Sequence, residues 1–131
     1  INTNGGCHLD ANMIGSVVSE DRAFDGTILF IENVGNLVCP SSFDLGEKMK
    51  LVIASVPEGH DKPFKYISMF EAADLIILNK TDLLPYIDFD TEVFYKGVRA
   101  VNGKAPVFEV SCRSGEGLDK LADWMDQLKT Y

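Results

Sequence analysis

The sequence predicts an α/β fold, a parallel sheet with helices on both faces, and three observations carry that expectation. Its short apolar runs lack the polar alternation of a half-exposed strand, so each reads as buried on both sides. Stretches with apolar residues at helical spacing alternate with those runs, as crossover helices do. The polar residues of chemical interest fall directly after the runs, at the carboxyl strand ends where such folds bind their ligands.

Taken in order, Leu9, Met13, Ile14, Val17 and Val18 recur at helical spacing after Gly5-Gly6, which predicts a helix over 9–22 with one buried face. Thr27-Ile28-Leu29-Phe30-Ile31 reads as a strand buried on both sides, ending on the acid Glu32. Lys50 to Val56 is a second strand, closed by Pro57 and Gly59. Phe64 to Ala73 reads as a helix and Asp74 to Leu78 as a third strand. Thr91 to Val101 is a helix that stops near Asn102-Gly103, and Pro106 to Val110 is a fourth strand. The final segment, 117–129, sets Leu118, Leu121, Ala122, Met125 and Leu128 on one face of an amphipathic helix. No internal repeat, low-complexity tract or dividing linker interrupts the chain, so residues 1–131 read as one domain.

Composition narrows the function classes. Apolar residues make up 46% and charged residues 24%, enough for a real core and too apolar for a disordered chain. No run approaches the roughly 18 apolar residues of a membrane span. The 12 Lys and Arg face 20 Asp and Glu, a net charge of −8 with no basic patch, which argues against nucleic acid as a partner. Three cysteines without paired spacing do not make a disulfide scaffold, and the reading is a reducing, cytoplasmic compartment.

The third apolar run is followed by Asn79-Lys80-Thr81-Asp82, the Asn-Lys-x-Asp pattern of guanine-nucleotide proteins. Guanine shows two neighbouring donors, the N1 hydrogen and the N2 amine, and the Asp82 carboxylate offers two acceptors at a matching separation. Adenine has a lone pair in place of the N1 hydrogen and lacks the amine, so it would leave the carboxylate unpaired; such a contact discriminates by about 10⁴–10⁵. Asn79 would bond the other purine edge, and the stem of Lys80 would lie along the base plane. Asn, Thr and Asp are also ordinary turn residues, so position matters as much as identity. Ser111-Cys112-Arg113-Ser114-Gly115-Glu116-Gly117, directly after the fourth run, resembles the Ser-Ala-Lys loop whose backbone amide contacts the guanine oxygen, with Cys112 and Arg113 replacing Ala and Lys. Whether Arg113 stacks on the base is left open by the sequence.

Glu32-Asn33-Val34-Gly35 resembles the Asp-x-x-Gly switch segment with Glu in place of Asp. There an acid holds a magnesium-bound water and the glycine amide senses the γ-phosphate, which gives Glu32 and Gly35 catalytic roles. Glu32 through Pro40, with Gly6-Cys7-His8-Leu9-Asp10-Ala11 upstream, resembles the GTPase domain of the HypB family, the nickel-incorporation proteins of [NiFe]-hydrogenase maturation. The Cys-His and Val-Cys-Pro blocks are the specific part of that resemblance, which runs over essentially the whole chain. The related urease accessory GTPases carry Cys-Pro-His, whereas Cys39-Pro40 is followed here by Ser41. The resemblance implies a dimeric, metal-responsive GTPase that binds GTP or GDP with magnesium and helps load nickel. Its implied partners are a small nickel chaperone and the hydrogenase large subunit precursor.

Residue chemistry points to metal as well. Cys7, His8 and Cys39 offer two thiolates and an imidazole, ligands suited to zinc or nickel, and the sequence does not choose between the two ions. Three donors do not close a tetrahedral structural site, but two copies about a twofold axis would supply six. Buried cysteines also serve as small hydrophobes, and that is the reading for Cys112. His60, between Pro57 and Pro63, reads as an exposed loop residue, and Asp88, Asp90 and Glu92 as a solvated charge cluster.

The sequence contains no phosphate-binding loop. Gly97 through Gly103-Lys104-Ala105 has one residue too many between its glycines and ends in Ala where Ser or Thr is required. The expectation is a P-loop GTPase-like sheet missing its first strand and P-loop, an N-terminally truncated fragment unable to hydrolyse GTP by itself. Two other readings stay open: a GTPase with no metal role, and a non-catalytic metal-binding or interaction module derived from a GTPase.

Overall fold

The computed structural model describes residues 1–18 and 27–128. Its centre is β2, Leu75–Asn79, which pairs in parallel with β1, Leu51–Ser55, on one side and β3, Val107–Glu109, on the other. The register sets Ser55 opposite Asn79 and Leu78 opposite Glu109, so the carboxyl ends of the strands lie together. The unbroken apolar character of β2 follows from burial on both faces. Leu75 and Ile77 point to one layer and Ile76 and Leu78 to the other.

The larger layer packs Val52, Ala54, Ile76 and Leu78 against Phe70, Phe94 and Val98, with the Phe70 and Phe94 rings edge to face at 6.4 Å. These aromatics come from α3, Ile67–Glu71, and α4, Thr91–Val101. Burying each phenylalanine contributes about 1.5–3 kcal/mol. Asp90 caps α4 by accepting from the Val93 amide at 3.0 Å, so this member of the acidic cluster serves as a helix cap. Gly97 interrupts α4 for a packing reason, because a Cβ there would meet the Phe64 ring of α2, Lys62–Lys65, at 2.8 Å. Asn102 ties α4 back to the end of α3. Its Nδ2 donates to the carbonyls of Phe70 and Ala73 at 2.9 and 2.7 Å, and its Oδ1 accepts from the Ala105 amide at 2.9 Å. On the opposite face α5, Leu118–Leu128, brings Leu118, Leu121, Trp124 and Met125 onto Leu75, Ile77, Phe108 and Val110. Helices therefore cover both faces of the sheet. The cover is uneven, since Leu51 and Ile53 of β1 remain 37% and 59% exposed.

Several elements differ from expectation. Thr27–Ile31 is not a strand: among the described residues it joins no sheet, and Leu29 and Phe30 are 43% and 65% exposed. An apolar run becomes a parallel strand only with a neighbour to complete its ladder, and no described element supplies one. The first helix, α1, covers Ala11–Val18; Leu9 and Asp10 lie before it outside the helix, and residues 19–22 of the predicted 9–22 span lie outside the described residues, as does Lys129. Of its apolar face Ile14 is buried, together with Leu9 just before the helix, while Val17 is 57% exposed. The single helix expected over 64–73 is two, broken at Tyr66, whose φ of −121° and ψ of 53° are not helical. His60 is half-buried; its Nδ1 accepts from the Asp90 amide at 3.1 Å and its ring meets Phe89 edge-on. Among the described residues no helix is long and apolar enough to cross a membrane.

Candidate functional site

The ends of β2 and β3 continue into two loops that are laced together. The Val110 amide donates to the Leu78 carbonyl at 2.9 Å, and the Thr81 amide donates to the Val110 carbonyl at 3.2 Å. Between them Lys80 adopts φ 62° and ψ 37°, the left-handed region that costs a residue with a Cβ about 1–2 kcal/mol. That turn starts the 3₁₀ helix Thr81–Tyr86 and faces Asp82 toward the second loop. There Ser111, fully buried, donates from Oγ to Asp82 Oδ1 at 2.7 Å and accepts from the Ser114 amide at 3.2 Å. Asn79 Oδ1 accepts from the amides of Lys80 and Cys112 at 2.7 and 3.2 Å. The loop folds on itself through Gly115 N to Ser111 O at 2.8 Å and Ser111 N to Glu116 O at 2.9 Å. Gly117 closes it at φ 76°, and any Cβ there would collide with the Glu109 carbonyl oxygen.

A cleft of about 270 Å³ opens between these loops, lined by Asn79, Lys80, Asp82, Leu83, Cys112 and Arg113. All six residues expected from the two sequence motifs therefore meet in one corner, five lining the cleft and Ser111 beneath it. The expectation for Cys112 as a buried hydrophobe is overturned: its side chain is exposed at the rim, because the turn after β3 directs it outward. Its amide is spent on Asn79. Leu83 was missed by the sequence reading; its signal was an apolar residue next to Asp82. Chemically the corner pairs a carboxylate held from beneath, one oxygen of which Ser111 does not engage, with an asparagine whose oxygen is already engaged. The Asp82 acceptor and the Asn79 amide donor are then the groups left to meet a ligand in the cleft.

Supporting this corner from β3, Glu109 Oε1 accepts from the Tyr95 hydroxyl of α4 at 2.8 Å. Burial, and then that hydrogen bond, push the Tyr95 hydroxyl up to about 12 from its ordinary 10.0.

The other two cysteines, Cys7 and Cys39, lie elsewhere. Asp10 caps α1 through the Met13 amide at 2.9 Å, and just before it Cys7 Sγ lies 3.6 Å from His8 Nδ1. Cys39 opens the 3₁₀ helix Cys39–Ser42. The neighbouring Cys7 thiol, with desolvation behind it, raises the Cys39 thiol above its ordinary 9.0. The His8 ring stacks on Phe43 at 3.6 Å and 8°. The donor types suit zinc or nickel, and Cys7 with Cys39 makes a pair fit to hold a soft ion. With its ring on Phe43, His8 does not complete the set, and among the described residues no three His, Cys, Asp or Glu side chains converge as metal ligands. Glu32 and Gly35 are both exposed on the segment that follows residues 27–31, and Glu32 lines a separate groove of about 390 Å³ with residues including Leu9, Ile14 and Leu29.

Comparison with known proteins places this geometry. HypB of Azotobacter chroococcum, a hydrogenase maturation factor, is 55% identical over 127 residues, 97% of this chain but 42% of that protein. The chain thus spans about two fifths of the length of the curated relatives it matches first. The crystal structure of HypB from Archaeoglobus fulgidus superposes with a TM-score of 0.88 at 38% identity, covering 96% of this chain and 67% of that one. HypB from Helicobacter pylori, solved in complex with nickel, gives 0.91 at 36% identity, covering 99% and 62%. The domain family described as CobW/HypB/UreG, nucleotide-binding domain, matches residues 2–109, and this chain belongs to that family.

Proposed function

We propose that this domain recognises a guanine nucleotide and that the whole protein is a metal-responsive GTPase assisting nickel insertion into [NiFe]-hydrogenase. The observation that carries the reading is Asp82 held by the buried Ser111 hydroxyl beside Asn79, on a cleft that both strand-end loops line. A carboxylate fixed in advance loses little freedom on binding, and it pairs with the adjacent N1 and N2 donors of guanine. The family supports nucleotide binding, the relatives named as hydrogenase maturation factors support the pathway, and a relative solved with nickel supports the ion.

Finer assignments belong to the same proposal. Glu32 would hold magnesium, which would supply charge neutralisation at the phosphates, and Gly35 would offer its amide to the γ-phosphate. Cys7 and Cys39, with His8 once its ring leaves Phe43, bind nickel or zinc. A homodimer brings two such sets together. A small nickel chaperone delivers the ion, and the hydrogenase large subunit precursor receives it. The three free cysteines suit the reducing cytoplasm. Hydrolysis is proposed for the whole protein, because the phosphate-loop pattern is not within residues 1–131.

Calorimetric titration of the full-length protein with GDP and with ADP tests the base reading. GDP should bind and ADP should bind about 10⁴-fold more weakly or not at all; equal affinities would overturn it. Zinc and nickel measured on the same sample test the metal reading. A protein that binds GDP and takes up neither ion is a GTPase without a metal role.

A further inference from the structure

The two cysteines of the proposed metal pair are 32 positions apart in sequence, and neither belongs to the sheet. One side chain joins them. Asn36 donates from Nδ2 to the Cys7 carbonyl at 2.8 Å and accepts at Oδ1 from the Cys39 amide at 2.8 Å and the Val38 amide at 3.1 Å. The acceptor half shapes the turn that presents Cys39, and the donor half fastens the Cys7 segment to that turn. Asn33 adds a second tie, its Oδ1 accepting from the Leu9 amide at 2.9 Å and the Val34 amide at 2.8 Å.

We propose that Asn36 is the positioning residue of the metal pair, its carboxamide holding the Cys7 and Cys39 segments together. The proposal rests on the reading that these two cysteines bind metal. Its physical basis is preorganisation. Without the clamp each ion must also collect a thiolate from a segment free to drift, and that ordering cost comes off the affinity. Groups that orient metal ligands typically change affinity about 10–100-fold when removed. Asn33 and Asn36 flank Gly35, so any movement of the Glu32–Gly35 segment would be passed to Cys7 through these bonds.

The discriminating variants are Asn36→Ala, which removes both halves, and Asn36→Asp, which keeps the acceptor for the Val38 and Cys39 amides but cannot donate to Cys7. Each is made in the full-length protein and titrated with cobalt(II), read by the thiolate-to-metal absorption band. The expected result is a strong band in wild type, its loss in Cys7→Ser, and about 10–100-fold weaker cobalt binding in both Asn36 variants. Weakening in Asn36→Asp is the sharper outcome, because the added negative charge by itself favours a cation. GDP affinity, measured on every variant, should stay at the wild-type value and shows that the fold is intact. Wild-type cobalt affinity in Asn36→Asp would overturn the clamp and leave Asn36 as a turn former only. If wild type gives no band, or Cys7→Ser keeps it, the metal reading itself fails, and that failure is separate from the clamp's.

Discussion

The corner proposed to read a base and the cysteine corner are built from the same loop chemistry on different foundations. Around Asp82 the loops continue two paired strands, and backbone bonds from Leu78, Thr81 and Val110 extend the ladder past the strand ends. The side chain that fixes the carboxylate, Ser111, is wholly buried. Around Cys7 no strand contributes, and the segments meet through two asparagine side chains. The difference teaches how rigid each site can be. A rigid sheet end suits discrimination between bases by one hydrogen bond, because a soft site would relax around the wrong one. A corner held by a few side-chain bonds can move when its neighbours move, as a site that takes up and releases an ion requires.

The contrast breaks or holds most visibly at Asp82. In Asp82→Asn one carboxylate oxygen becomes an NH₂ donor facing the guanine N1 and N2 donors, so GDP affinity should fall at least about 100-fold. Xanthosine diphosphate, which carries a carbonyl where guanine has its amine, should recover most of the lost affinity. Titration of both nucleotides against both proteins checks this, and an unchanged GDP affinity would mean the cleft does not read the base through this residue. Next in size is Gly117→Ala. The left-handed conformation alone costs about 1–2 kcal/mol, and the collision with the Glu109 carbonyl adds to it. Thermal unfolding should drop by several degrees and GDP affinity should fall with it, while thiolate binding of cobalt stays near wild type. Parallel loss of both activities would show that the two corners are one cooperative unit.

Legibility in the sequence follows the same division. The strand-end motifs could be read because strand burial leaves an unbroken apolar run and the chemistry follows at a fixed offset, so Asn79, Asp82 and Ser111 fell where expected. Helix α4 was readable from its period and its stop at Asn102. The run 27–31 misled because apolar composition reports a preference for burial and says nothing of whether a partner lies alongside. The clamp by Asn36 left no signal: asparagine is common in turns, and its bond to Cys7 spans 29 positions. The half-burial of His60 likewise depends on Asp90 and Phe89, distant in sequence.

A smaller effect tests how firmly the base corner is braced from below. Burial, and then the bond to Glu109, push the Tyr95 hydroxyl up to about 12 from its ordinary 10.0, so folding disfavours its phenolate. Stability from this group is complete below pH 10 and is lost as pH rises toward 12. Chemical denaturation from pH 9 to 11.5 should therefore show a decline that Tyr95→Phe lessens, with the Tyr95 contribution absent in the variant. An identical decline in both proteins would mean the bond to Glu109 does not bear on the stability of β3.

The smallest expected change is the most telling about the cysteine corner. Cys7→Ala and Cys39→Ala remove thiols that are exposed and half-buried, respectively. Asn36 bonds to the Cys7 carbonyl and the Cys39 amide, which are backbone groups that both substitutions keep. The segments should therefore stay joined, and the melting temperature without metal should move by no more than about 2 °C. With nickel or zinc added, wild type should gain stability by mass action while the variants gain little, since an ion that binds only the folded form stabilises in proportion to its affinity. A large fall in the metal-free melting temperature would show that the thiols, more than the asparagine, hold this corner. The corner would then be a structural joint, and its softness relative to the sheet end could not be what allows an ion to enter and leave.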